Sequence, residues 1–175
     1  MRNRRVIFIG AVLAMGLGAH VARAETARAV IKGTAQGSPI KGAAELTETP
    51  EGLKVMVQIT GAPAGKHGLH IHQYGDCGEQ GSAAGGHFNP KDAPHGFLPA
   101  DGSAKAHLGD MGNIEIKQDG SASLIVVLPE VTVSGSPRSV AGRSIILHEK
   151  EDDFGQPTGN AGGRIGCGTI ILTAK

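Results

Sequence analysis

The chain has little cysteine: Cys77 and Cys167 are the only two in 175 residues. Neither stands directly after the N-terminal apolar run, so a lipid anchor is not indicated. A long apolar run is also missing. The one candidate, VIFIGAVLAMGLGAHV after the basic MRNRR, is too short and too rich in Gly and Ala for a membrane span. With Ala22-Arg23-Ala24 behind it as a small-residue cleavage site, it reads as a secretory signal peptide. Cleavage is expected to remove residues 1–24, to leave 25–175 as one domain, and to leave no segment that holds a membrane. Arg4-Arg5 makes a weak twin-arginine match. A surplus of positive charge is lacking too. Cleavage takes four of the 17 Lys and Arg and leaves 13 against 16 Asp and Glu, a net charge near −3, which argues against nucleic acid as a partner. In an exported chain the two cysteines suggest a disulfide; the alternative is two free buried thiols.

Helical periodicity is scarce, whereas strand signals recur. Short β-branched runs bounded by Gly, Pro, Asn and Asp lie at 29–34, 40–47, 53–60, 68–73, 112–117, 121–128, 144–148 and 169–173. The third alternates cleanly, with Leu53, Val55, Val57 and Ile59 on one face and Lys54, Met56, Gln58 and Thr60 on the other. Gln118-Asp119-Gly120 predicts a hairpin turn. Eight short strands with polar turns imply an all-β fold, an antiparallel sandwich or barrel. Two stretches break the pattern, 74–106 and 149–163. Loops so long inside a compact domain are usually functional or disordered, and both lie between histidines, which favours function.

The histidines carry the chemistry. GLHIHQYGDC places His70 and His72 two apart in a strand, so their side chains project to one side and can grip one metal ion. One such pair alone is a weak signal. His87, His95, His107 and Asp110 follow in or at the end of the first long loop, and His148 ends a strand. Imidazoles with a carboxylate suit zinc and copper, whereas magnesium and calcium take oxygen alone. His67, at a strand entry between Gly65 and Gly68, is expected to be structural and bonded to backbone. His20 lies in the expected signal peptide and has no role after cleavage.

Taken together, GLHIHQYGDC, GGHFNP, AHLGDMGN, ILHEKEDD and GNAGGRIGCGTI resemble, in order, the signature segments of copper/zinc superoxide dismutase. The likeness runs from about residue 30 to the C-terminus, and the chain looks like a bacterial exported, periplasmic member. The resemblance implies an eight-stranded antiparallel Greek-key β-barrel with two long functional loops, a sandwich architecture for which this enzyme is itself a known example. It implies one copper and one zinc per subunit. Copper would be held by His70, His72, His87 and His148, and zinc by His87, His95, His107 and Asp110, with His87 shared. His87 would also carry a proton to the departing peroxide. Asp152 would link a copper histidine to a zinc histidine. Arg164 would attract and orient the substrate anion. A Cys77–Cys167 disulfide would tie the first long loop to the last strand.

The implied activity is dismutation of superoxide to oxygen and hydrogen peroxide outside the cytoplasm, with a homodimer as a possible assembly. The alternative is an exported copper-binding carrier with a dismutase-like fold, or a zinc domain without redox chemistry. A carrier is expected to lack the zinc set or the arginine, and both are present. The segment between His148 and Arg164 is shorter than in familiar members and has no charge after Asp153. Lys91 and Lys105 are therefore the other candidates to guide an anion.

Overall fold

The computed structural model describes residues 24–173. The expected signal peptide, up to residue 23, lies outside the described residues. Eight antiparallel strands follow in order: β1 (Thr26–Gly33), β2 (Lys41–Thr49), β3 (Gly52–Thr60), β4 (Gly65–His72), β5 (Asp110–Ile116), β6 (Ala122–Leu128), β7 (Ser144–His148) and β8 (Arg164–Leu172). They hydrogen-bond in the order β5-β4-β7-β8-β1-β2-β3-β6. β5 and β6 end that order and approach each other across the remaining seam, so the sheet curls into a nearly closed barrel. The 3–4 and 6–7 connections cross from one side to the other, which makes the topology a Greek key.

Alternation builds the core. In β3, Leu53, Val55, Val57 and Ile59 are at most 1% exposed, as the two-residue period predicts. β1 alternates likewise, with Ala27, Ala29 and Ile31 inward. β4 and β7 depart from alternation and are buried on both faces, because the barrel covers one face and the long loops the other. His70 and His72 sit on the first of those strands and His148 ends the second. The turn at 118–120 forms as expected: the Lys117 amide donates to the Ser121 carbonyl at 2.9 Å. The two strands it joins lie at opposite ends of the ladder order and are not paired as a hairpin. β8 begins at Arg164, five residues before the predicted strand, so Arg164 and Cys167 lie within it.

The long loops contain two short helical turns, Glu79–Ala84 and Leu98–Asp101, and are otherwise irregular. Cys77 and Cys167 are bonded, which ties the first loop to β8 as expected. Among the described residues no helix is long and apolar enough to cross a membrane.

Candidate metal centre

Backbone irregularities aim the site. The β4–β5 register shifts between Gly68 and His70, and the β7–β8 register shifts between Leu147 and His148. Bulges of this kind redirect side chains. His148 thereby comes opposite Arg164. The first loop is laid along β4 by its own backbone: His87 bridges His72, the Phe88 amide donates to Ile71 at 2.8 Å, and the Ile71 amide donates to Gly109 at 2.9 Å. Gly109 passes so close to the Ile71 carbonyl that a side chain there would collide with it.

Four imidazoles, His70, His72, His87 and His148, converge within 4.8 Å of one another by one ring nitrogen each, and all are at most 6% exposed. Their hydrogen bonds reveal which nitrogens are bare. His72 Nδ1 donates to the Gly85 carbonyl at 3.0 Å, and His148 Nδ1 donates to the Gly162 carbonyl at 3.3 Å. Their Nε2 atoms therefore face each other at 3.3 Å as two lone pairs with no proton between them. His70 Nε2 donates to Asp152 Oδ2 at 2.8 Å, which leaves its Nδ1 buried without a partner. Convergent lone pairs without donors are what a cation satisfies, so this donor set fits a metal.

A second set shares His87. The Nδ1 atoms of His87 and His107 lie 3.0 and 3.2 Å from Asp110 Oδ1. His95 Nδ1 is 2.9 Å from Asp110 Oδ2 but out of hydrogen-bond alignment, so it too is an unsatisfied buried nitrogen. His₃Asp with every member buried is a closed site with no open position. Asp110 is braced by the backbone amides of Gly96 and His107 on Oδ2 at 3.0 and 2.9 Å.

Asp152 joins the two sets, bonding His70 Nε2 at 2.8 Å and His95 Nε2 at 2.9 Å. Asn113 holds Asp152 in turn, pairing with both its backbone amide and its carbonyl. Gly159, at φ +76°, packs against the Asp152 carboxylate and His95, where no side chain would fit.

Without metal, burial pushes His72 down to about 2, and the charges of His87 and Arg164 push the same way. Burial likewise lowers His148 to about 3 and His87 to about 4, the latter against the pull of Asp110. His95 goes the other way: burial opposes its charge, but the two carboxylates close to its ring, Asp110 and Asp152, outweigh it and raise it to about 9. Burial would raise Asp110 and Asp152. Their histidine partners prevail and hold both carboxyls well below the usual range.

Arg164 stands at the edge of the first set, where its charge acts on His72 and His148. Its guanidinium is fixed by the carbonyls of Gly81 at 2.5 Å and Gly85 at 2.6 Å, and Gly85 also accepts from His72. His67 is structural, as expected: both ring nitrogens face carbonyls, those of His148 and Pro63, and none is left for a metal. Lys91 is not a guide for anions. Its ammonium is bound to Glu130 and Ser103 at 2.8 and 2.6 Å. Sequence reasoning missed Asn113 and also Arg143, which lies over the Phe88 ring at 3.7 Å and donates to Gln73 O at 2.7 Å. Neither carries a local sequence signal, because each acts on a partner distant in the chain.

Barrel, paired imidazole sets and arginine define a class of protein built to hold two metal ions side by side. Residues 40–170 match the family model for copper/zinc superoxide dismutase, and the chain belongs to that family. It is 36% identical to the extracellular superoxide dismutase of Caenorhabditis elegans, over 97% of this chain and 78% of that one. It is 37% identical to a copper/zinc superoxide dismutase of Onchocerca volvulus, over 79% and 93%. With superoxide dismutase 5 of Dictyostelium discoideum it shares 43% identity, over 66% and 78%. Among solved structures, that of the clock protein EA4 superposes with a TM-score of 0.76 at 34% identity, covering 91% of this chain and all of that one. The protein is an enzyme of the superoxide dismutase type, with copper and zinc as its cofactors and superoxide as its substrate.

Proposed function

We propose that the enzyme dismutates superoxide outside the cytoplasm, as a bacterial periplasmic member of the family. The reading that carries this assigns copper to His70, His72, His87 and His148, and zinc to His87, His95, His107 and Asp110. One observation supports it above the others: three nitrogens, His70 Nδ1, His72 Nε2 and His148 Nε2, meet as bare lone pairs in a buried pocket. Bound copper would supply one-electron exchange with superoxide, and zinc a fixed charge that orders the loop.

The chain does the rest. Two superoxide anions and two protons become one oxygen and one hydrogen peroxide, so the site must draw in anions and deliver protons. Arg164, held by the Gly81 and Gly85 carbonyls, presents a fixed cation at the mouth of the copper set and orients the anion there. His87 turns Nδ1 to Asp110 and its other nitrogen to the copper set, where that nitrogen can hold a proton and pass it to departing peroxide. Asp152 locks the His70 and His95 rings together, so the two sets keep one relative geometry.

The basic and apolar N-terminus and the extracellular relative support export, with residues 1–24 cleaved and 25–175 as the mature domain. Val30 and Ile171, 57% and 60% exposed on the outer face of the adjacent strands β1 and β8, support a homodimer. The test is made on protein released from the periplasm by osmotic shock. It should begin at Glu25, sediment as a dimer, and hold one copper and one zinc per chain. In that protein His87→Ala should perturb the copper spectrum and the zinc affinity together. A copper spectrum untouched by that change would sink the shared-ligand assignment, and a retained N-terminus would sink the export reading.

A further inference from the structure

His95 is the most exactingly held residue of the zinc set, and most of the grip comes from one short stretch of the second loop. Asp152 bonds its Nε2. Phe154 lies beside its ring in a nearly parallel orientation, centroids 6.4 Å apart and planes 19° from parallel. Gln156 takes its backbone: the His95 amide donates to Gln156 Oε1 at 2.9 Å, and Gln156 Nε2 donates to the His95 carbonyl at 2.8 Å. His95 lies in no strand, yet it is buried, and a buried amide and carbonyl need partners. Among the described residues Gln156 is the partner of both. Its side-chain amide does for one loop residue what a neighbouring strand would do in a sheet.

We propose that Gln156 is a positioning residue for zinc: it fixes the backbone of His95 so that Nδ1 points at the Asp110 side of the site. This rests on the reading of His95 as a zinc ligand. The physical basis is that ring orientation needs two fixed points. Asp152 supplies one at Nε2. Without a second at the backbone, the residue can pivot about that bond and carry Nδ1 away from Asp110 Oδ2, now 2.9 Å distant. The consequence is specific. Gln156 is exposed and contributes no core packing, so its loss should weaken the metal site much more than the barrel.

The test compares Gln156→Ala, Gln156→Glu and His95→Ala with the unchanged protein. Zinc affinity is read by competition with a chromophoric chelator. Site geometry is read from the visible bands of cobalt(II) bound in place of zinc, and thermal stability is measured on the metal-free proteins. Gln156→Glu keeps the size and one acceptor but sets a carboxylate oxygen against the His95 carbonyl. Both Gln156 variants should bind zinc about tenfold more weakly, in the range expected for groups that orient ligands. Both should alter the cobalt bands while the metal-free melting temperature stays close to that of the unchanged chain. Gln156→Ala with unchanged zinc affinity and cobalt bands would overturn the proposal, as would Gln156→Glu behaving like the unchanged chain. Unchanged zinc affinity in His95→Ala would instead overturn the zinc-ligand reading beneath it.

Discussion

Removing both metals should give a protein whose stability peaks near pH 6.5 and falls on either side. His72, His87 and His148 are at most 6% exposed, and burial lowers them to about 2, 4 and 3. An unfolded chain binds a proton at each near pH 6.5, whereas the folded chain does not. Stability from these groups is thus present above 6.5 and lost as pH falls. The loss is about 1.4 kcal/mol per pH unit for each group, so about 4 kcal/mol per unit for the three until His87 itself begins to titrate. By pH 5 the loss is about 6 kcal/mol, comparable to the whole stability of a typical domain. Asp110 and Asp152, held low, contribute stability above the ordinary carboxyl range and leave this window flat. On the alkaline side His95, raised to about 9, contributes fully below 6.5 and loses about 3 kcal/mol as pH rises through 9. Urea denaturation of the metal-free chain at half-unit intervals from pH 5 to 9.5 reads both arms. The zinc-loaded chain should lack the alkaline arm, because a metal occupies the position of that proton. Stability that is flat between pH 7 and 5 would refute the claim that these three imidazoles are neutral in the fold.

Cys77→Ser should cost about 2–5 kcal/mol by urea denaturation, since the bond closes a long loop; it should also slow turnover, because the carbonyls that anchor Arg164 lie just beyond Cys77. Two free thiols in the intact mass of the purified protein would contradict it. Arg164→Glu, with both metals retained, should lower kcat/KM at low salt by between about ten- and a thousandfold, the span of electrostatic focusing long recognised in this enzyme class, and should flatten or reverse the salt dependence. Lys91→Glu should do far less, because Lys91 already lies against Glu130. Near-normal kcat/KM in Arg164→Glu would move anion guidance elsewhere.

Much of the fold was legible in the chain itself. Alternation of Leu53, Val55, Val57 and Ile59 is a local property with a period of two, and burial of one face follows from it directly. The two histidines of GLHIHQYGDC share a side for the same local reason. The motifs also named every member of both imidazole sets, and the structure brings them together in those sets. What the chain could not display were contacts between residues far apart in sequence. The grip of Gln156 on His95 spans 61 positions, and that of Asn113 on Asp152 spans 39. The pairing of Lys91 with Glu130, which removes a lysine that sequence alone offered as a guide, spans 39 as well. The start of β8 at Arg164 is likewise set by pairing with β7, not by the Gly-rich residues that encode it. Residue type and spacing determine what a segment can become. Which side chain meets which across the barrel depends on loop path and strand register, and those are settled only when the sheet closes.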